Sequence, residues 1–568
     1  MRTRVVSGIL GVLLVLGTFA PACSSESPPR EFEAVDGSVP EGGEPDAVDP
    51  GDAGSFDPDT GLPVETTRDP VDCNEAKTSK SYVGCDYWLT VTANNVWSIF
   101  DFAVVVANTG NQPATITVTG PSATNKQVTV PAGQLKKIYL PWVASLKGAD
   151  TSECAESHEM TASVAAPGGA YHLVSSTPVI VYQFNALEYK GQGGEAPDGG
   201  TKSWAACPGS QVCATTPGGP APAGCLSFSN DASLLLPSTA MTGNYRIAGP
   251  YGFTIKPNGT DLNIMGPQFA VTGTEAGTVV TVKLGSKATV LAGGGIPATG
   301  PGGTFTFNLG AGDVVEVIGA KGKQSDLSGS LVQATKPVQV ITGIPCLYLP
   351  DGVKSCDHLE ESVFPAETLG RHYAVTVPTS PNGNVVGHIV RMFGNVDGTK
   401  LTYVPAKPPL CPTTLEAGEV VDCGPVGGDF EVKGDHEFSV GSFMLGGDQV
   451  DPTGGKGDPS LTFTPSIEQF RTKYLFLAPD DYDVSFVDII GIAAASPVVD
   501  GAPVQAPFQA IGSGPFGVFR VKLGAGQGGA HTLTSSSPVG IQVMGYGSKT
   551  SYHYPGGLNL KLIAPPPK

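Results

Sequence analysis

Four stretches of this sequence close in the same way: Ser175-Ser176-Thr177-Pro178-Val179-Ile180-Val181, Ala334-Thr335-Lys336-Pro337-Val338-Gln339-Val340, Asp435-His436-Glu437-Phe438-Ser439-Val440 and Ser535-Ser536-Ser537-Pro538-Val539-Gly540-Ile541. Each is a polar turn running into a segment rich in β-branched residues, the composition of a strand entered from a turn. Pro337 to Glu437 spans 100 positions and Glu437 to Pro538 spans 101. Pro178 to Pro337 spans 159, and the Gly- and Cys-rich stretch from Gly191 to Gly224 accounts for the excess. Self-similarity at a fixed interval is the mark of a copied structural unit.

Other landmarks keep the same register. Ala-Gly turns fall at Ala132-Gly133, Ala311-Gly312, Ala417-Gly418 and Ala525-Gly526. Alternating strands precede them, as in Ala114-Thr115-Ile116-Thr117-Val118, Gly277-Thr278-Val279-Val280-Thr281-Val282 and Gly398-Thr399-Lys400-Leu401-Thr402-Tyr403-Val404. Three copies open on an acid, an apolar run and a proline, with a tyrosine eight or nine residues later: Asp231 to Pro237 and Tyr245, Asp357 to Pro365 and Tyr373, Asp458 to Pro465 and Tyr474. Alternation of Thr with Ile or Val gives a strand one wet and one dry face. Six to eight such strands in ~100 residues fill one β-sandwich, whereas a propeller blade uses about 40–50.

The expected fold is therefore all-β: about four tandem β-sandwich-like modules with antiparallel strands, packed in series and preceded by a disordered acidic linker. The segments are a signal peptide at 1–22, the linker at 23–70, and module 1 at 71–228 with a Cys-rich insertion at 186–228. Modules 2, 3 and 4 follow at 229–350, 351–455 and 456–568.

Composition agrees with this reading. Of 568 residues, 76 are Gly and 50 are Pro, and only 15% are charged, against about 25% in ordinary soluble domains. The glycines have no three-residue period and no apolar heptad recurs, which excludes collagen and coiled coil. The net charge of −19 comes without a Lys/Arg cluster, so a nucleic-acid partner is excluded for lack of a face to neutralise phosphates. Thirteen acids between Ser24 and Pro70 face only Arg30 and Arg68. With Phe32 and Phe56 as its only aromatics, that stretch buries too little to offset chain entropy and reads as an extended tether.

Met1–Cys23 reads as an export signal, with Arg2 and Arg4, an uncharged apolar run from Val5 to Phe19, and Ala20-Pro21-Ala22 before Cys23. Fifteen helical residues cover about 22 Å, short of a ~30 Å bilayer core. Cys23 stands where a bacterial lipobox carries its lipid-bearing cysteine. Removing it from the eleven leaves an even ten for an oxidising compartment. Cys73–Cys85, Cys346–Cys356 and Cys411–Cys423 are local pairs, leaving two bridges among Cys154, Cys207, Cys213 and Cys225.

Taken together, Ser81-Tyr82-Val83-Gly84-Cys85-Asp86-Tyr87-Trp88, Phe102-Ala103-Val104-Val105-Val106-Ala107-Asn108, Tyr182-Gln183-Phe184-Asn185, Ser229-Asn230-Asp231-Ala232-Ser233-Leu234-Leu235-Leu236-Pro237, Cys356-Asp357-His358-Leu359-Glu360-Glu361, Gly457-Asp458-Pro459-Ser460-Leu461 and Tyr554-Pro555-Gly556-Gly557 resemble the IgGFc-binding protein N-terminal domain family. The resemblance covers about residues 79–560 and, with the lipobox-like Cys23, implies a bacterial lipoprotein-like member. It implies a non-catalytic extracellular binding or adhesive module. The expected partner is an extracellular protein or glycan, and the only membrane contact is a lipid on Cys23. The expected location is the outer membrane or cell surface, or otherwise secretion.

The sharpest chemical candidates are the acidic module openings. Asp231, Asp357, Glu360 and Asp458 recur at one repeat position and offer hard oxygen ligands for Ca²⁺, and no other cofactor is expected. Capping of turns and pairing with Arg or Lys is the competing role of such carboxylates. Tyr546, Tyr552 and Tyr554 form either a sugar-stacking platform or the sealed end of a core. No H-E-x-x-H or G-x-S-x-G occurs, so the chain reads as a binder. The rival classes are a secreted glycan-processing enzyme with an inter-module carboxylate site and a purely structural envelope protein.

Overall fold

The computed structural model describes residues 69–191, 195, 200, 202, 226–353, 355–479, 481–524 and 529–567. The signal peptide, Cys23, nearly all of the linker, most of the 186–228 insertion and the Ala525-Gly526 turn lie outside the described residues.

Two kinds of strand build each unit, and burial separates them. Ala114–Gly120 buries Ala114, Ile116 and Val118 and exposes Thr115, and Thr278–Lys283 buries Val280 and Val282 while exposing Val279 and Lys283. These belong to sheets with one face in water. Phe102–Asn108, Val338–Leu347 and His388–Gly394 are instead buried along their whole length. Such strands need cover on both faces, and the topology supplies it.

In each unit the fully buried strands form an inner, axial sheet that starts with one short strand: β1 (Ala232–Leu234), β2 (Asp357–Ser362), β3 (Leu461–Phe463) and β4 (Thr550–Pro555). The first sheet runs β1, then Tyr171–Phe184, Phe102–Asn108 and Leu135–Leu140. The others run β2, Val338–Leu347, Gln268–Gly273 and Val314–Ile318; β3, Phe438–Met444, His388–Gly394 and Val420–Val426; and β4, Ala530–Gly547, Val484–Ile492 and Phe516–Lys522. All these pairings are antiparallel. A second, alternating sheet stacks on each, in unit 2 Asn244–Arg246, Leu331–Ala334, Thr278–Lys283 and Thr304–Leu309.

The repeated polar turn is where the chain passes from one sheet to the other. The first half of Tyr171–Phe184 pairs with Gly84–Leu89 and Ala114–Gly120, and the half after Pro178 pairs with the axial strands. A proline suits the crossing because it has no N–H to give a ladder. One tyrosine per unit fixes this point. Tyr87 and Tyr245 donate to the carbonyls of Val179 and Val338 at 2.6 Å, and Tyr373 and Tyr474 donate to those of Phe438 and Val539.

β1 packs against β2 and β4, and β3 packs against β2 and β4. The four axial strands thus surround a common axis, and the units form a closed four-bladed, propeller-like ring. The all-β, antiparallel, sandwich-like reading holds, while packing in series is corrected: a linear row would leave the apolar inner faces of its end units wet. Each axial sheet contains the four strands of a propeller blade, extended by Val164–Ala166 in unit 2 and by Phe508–Ala510 in unit 4, and the second sheet is what lengthens the unit to about a hundred residues. Blade 4 meets blade 1 through the Ser81↔Asn559 bridge and Tyr182, whose hydroxyl reaches the carbonyls of Leu475 and Gly556 at 3.2 and 3.1 Å. β1, β2 and β3, which open the segments expected at 229, 351 and 456, each hydrogen-bond to the blade before them.

Cys73–Cys85, Cys346–Cys356 and Cys411–Cys423 are disulfides, as their local spacing suggests. Cys154 is also disulfide-bonded, and Cys207, Cys213 and Cys225 lie outside the described residues. Among the described residues no helix is long and apolar enough to cross a membrane.

Candidate functional site

The acidic openings converge on the axis. Asp231 is fully buried, and its carboxylate takes hydrogen bonds from all four blades. The donors are the Ala232 N–H at 2.9 Å, the Glu360 N–H at 3.2 Å, the Ser460 hydroxyl at 2.6 Å with the Leu461 N–H at 3.1 Å, and the His553 N–H at 3.4 Å. Burial pushes this carboxyl well up from the ordinary range, against the pull of those donors. Asp357 accepts from the N–H groups of Asn230, His358 and Ser551 and from the Thr550 hydroxyl. Glu360 accepts from the hydroxyls of Thr92 and Ser233 at 3.1 Å and from the Asn185 amide.

Asp458 differs from these. It is 1% exposed, and neither carboxylate oxygen has a hydrogen-bond partner. Burial pushes it up, and its charge in turn raises Asp357. Asp231, Asp357 and Glu360 thus face donors, as turn-capping carboxylates do, and bind strands to one another. Among the described residues no group of three or more His, Cys, Asp and Glu is spaced to hold a metal ion, so the expected Ca²⁺ ligands do not form a common set.

Tyr546, Tyr552 and Tyr554 are at most 1% exposed. Tyr546 donates to the Thr379 carbonyl at 2.6 Å, Tyr552 to the Ser485 hydroxyl at 3.0 Å, and Tyr554 packs its ring 4.9 Å from that of Tyr182. A sugar-stacking platform needs an open ring face, so that expectation is corrected: these rings seal the core.

A recess that the sequence did not point to lies between blades 2 and 3. It is a cleft of about 860 Å³, within the usual range of ligand pockets. Gly329 of blade 2 and Gly418 of blade 3 meet at its floor with φ of +82° and +78°, and a Cβ on Gly329 would stand 2.1 Å from the Gly418 carbonyl oxygen. Only glycine lets the two backbones approach this closely. Blade 2 contributes Arg246, Lys283 and Lys287 to the lining; blade 3 contributes Asp397, Glu416 and Glu419.

Arg246 ends the strand Asn244–Arg246 and is 8% exposed. One guanidinium N–H reaches the Gly329 carbonyl at 3.2 Å, and Nε has no partner. Burial lowers the affinity of this guanidinium for its proton, and the Asp397 charge opposes that. No sequence signal marks the site because its walls lie up to 173 positions apart, from Arg246 to Glu419. Each residue taken alone reads as a solvated outward position.

The sequence profile of the IgGFc binding protein family matches residues 231–545, from the axial Asp231 into the last long strand of blade 4. The chain belongs to the IgGFc-binding protein family. The human IgGFc-binding protein is 25% identical over 350 residues, which is 59% of this chain and 6% of that protein. This family member therefore spans only a small part of its curated relative. Among solved structures, an anti-sigma factor domain-containing protein from Clostridium clariflavum aligns with 56% of this chain and 81% of its own at 12% identity and a TM-score of 0.11. A tetra-tandem repeat from the extending region of a large adhesion protein aligns with 84% and 99% at 11% identity and a TM-score of 0.08. At those scores neither likeness bears on the fold.

Proposed function

We propose that this protein is an exported recognition module, held at the cell surface by a lipid on Cys23, that binds an extracellular protein. The observation that carries the reading is the family match over blades 2 to 4. The closed ring is consistent with it, since a rigid scaffold whose loops and clefts face outward suits recognition. The enzyme reading fares worse at the carboxylates of the axial strand Asp357–Ser362. A carboxylate pair for glycan cleavage must admit sugar and water, yet Asp357, Glu360 and Glu361 are all fully buried.

Two measurements test the proposal. The first is surface plasmon resonance of the mature chain against a panel of extracellular proteins, immunoglobulin Fc among them, and against a glycan array. Saturable binding to a protein that survives enzymatic deglycosylation supports it. Binding confined to glycans, turnover of any panel member, or recovery of cell-wall material alone overturns it. The second is mass spectrometry of the native protein, in which an unmodified Cys23 ends the lipid-anchor part.

A further inference from the structure

The cleft between blades 2 and 3 carries charges that do not satisfy one another. Among the described residues neither Lys283 nor Lys287 forms an ion pair, and Asp397, Glu416 and Glu419 pair with no lysine or arginine. Each of these three acids accepts a backbone N–H of its own blade: Ala417 to Asp397, Gly398 to Glu416 and Glu416 to Glu419. The unpaired cations stand on the blade 2 wall and the unpaired acids on the blade 3 wall; Asp326, the acid that blade 2 adds to the lining, is already paired with Arg391. Deeper in, Arg246 is more than nine-tenths buried and leaves its Nε–H unused. A buried donor without a partner costs free energy until something accepts from it.

We propose that this cleft receives a segment of a partner protein carrying an acidic side chain near a basic one, with Arg246 as the anchor of the acidic group. The inference rests on the protein-binding reading and names the surface that performs it. A carboxylate fits the guanidinium because its two oxygens match the planar N–H fork. Lys283 and Lys287 add attraction at the mouth, and the blade 3 acids meet the basic side chain. A glycan is the weaker occupant, because the lining contains no aromatic ring on which a sugar face stacks. Opposed charged walls fix the direction in which the segment enters, which is how charge complementarity yields specificity. With walls this polar, binding must weaken as salt rises.

The test uses the mature chain and saturation-transfer NMR, which reads weak ligands of large proteins. The probes are blocked hexapeptides placing an aspartate three residues before a lysine, the same peptides with asparagine for aspartate, and a glucuronate oligosaccharide. The aspartate peptide is expected to receive saturation and the asparagine peptide at least tenfold less. Lys283→Glu combined with Lys287→Glu changes exposed side chains only and is expected to weaken the aspartate peptide at least tenfold; Arg246→Gln is expected to abolish it.

Equal binding of the two peptides, a glucuronate signal exceeding that of the aspartate peptide, or a double variant that binds as the wild type would each overturn the proposal. If Arg246→Gln fails to fold, the double variant decides. A double variant that loses the peptide but keeps an extracellular protein partner overturns the cleft as that partner's docking surface and leaves the protein-binding reading standing.

Discussion

Asp231 and Asp458 are read from the sequence as equivalent, and the structure assigns their removal opposite signs. In Asp231→Asn the new amide must point its NH₂ at one set of donors. If it replaces the oxygen facing Glu360 and Leu461, two buried N–H groups lose their acceptor; if it replaces the other, Ala232, Ser460 and His553 lose theirs. Leaving a buried donor unsatisfied costs about 1–3 kcal/mol, so two orphans predict a loss of roughly 2–6 kcal/mol.

Asp458→Asn removes a buried carboxylate that has no hydrogen-bond partner and that raises Asp357. It is expected to leave stability unchanged or to increase it by about 1 kcal/mol. Melting temperature is a blunt readout, because ~500 folded residues have an unfolding entropy of about 1 kcal/mol per kelvin and 3 kcal/mol then moves the midpoint by only about 3 °C. Urea titration followed by near-ultraviolet circular dichroism is the better assay. Equal losses in the two variants, or a loss below about 0.5 kcal/mol for Asp231→Asn, would refute the argument that the axis is held by donors converging on one carboxylate.

Three further outcomes can be measured. Tyr87→Phe, Tyr245→Phe, Tyr373→Phe and Tyr474→Phe each strip the bond to a carbonyl at the sheet crossing, and each is expected to cost about 1–2 kcal/mol in urea titration; effects confined to one blade would count against four equivalent units. Burial pushes Glu316 up to about 8, with only the Ala93 N–H opposing. The folded state therefore keeps this proton where the unfolded chain has lost it, so its contribution falls as pH rises from about 4.5 to 8. Glu316→Gln should gain about 1 kcal/mol on the wild type between pH 6.5 and 7.5, a difference from which His388 and His553, each lowered to about 3 in the folded state by burial, cancel because they titrate alike in both proteins; parallel pH curves would contradict this. Gly329→Ala forces the blade 2 and blade 3 backbones apart at the cleft floor and should weaken the aspartate hexapeptide at least tenfold while leaving the disulfides and the secondary structure seen by circular dichroism intact.

The local features of the blade were legible because they rest on local chemistry. Pro178, Pro337 and Pro538 mark the sheet crossing, the Ala-Gly turns adopt positive φ at Gly133, Gly312 and Gly418, and alternation at Thr115 and Ile116 marks a half-wet sheet. Tyr245, Tyr373 and Tyr474 were visible as a series, but Tyr87 was not, because no acidic opening precedes it in blade 1. The ring was hidden for a different reason. β1 and β3 are three residues long, too short to announce a partner, and their hydrogen bonds go backwards to the blade already completed. Asp231 kept two roles open, metal ligand or turn cap, because sequence cannot tell a carboxylate facing cations from one facing amides.

The closing strand Thr550–Pro555 has a consequence for biogenesis. It is the last of the four axial strands to leave the ribosome, and until it arrives the His553 N–H cannot reach Asp231 and the apolar flank of blade 1 has no cover. A chain halted before Thr550 would therefore present an unpaired sheet edge, a template for joining to other chains. Folding that waits until Thr550–Pro555 has been made removes that hazard by timing alone.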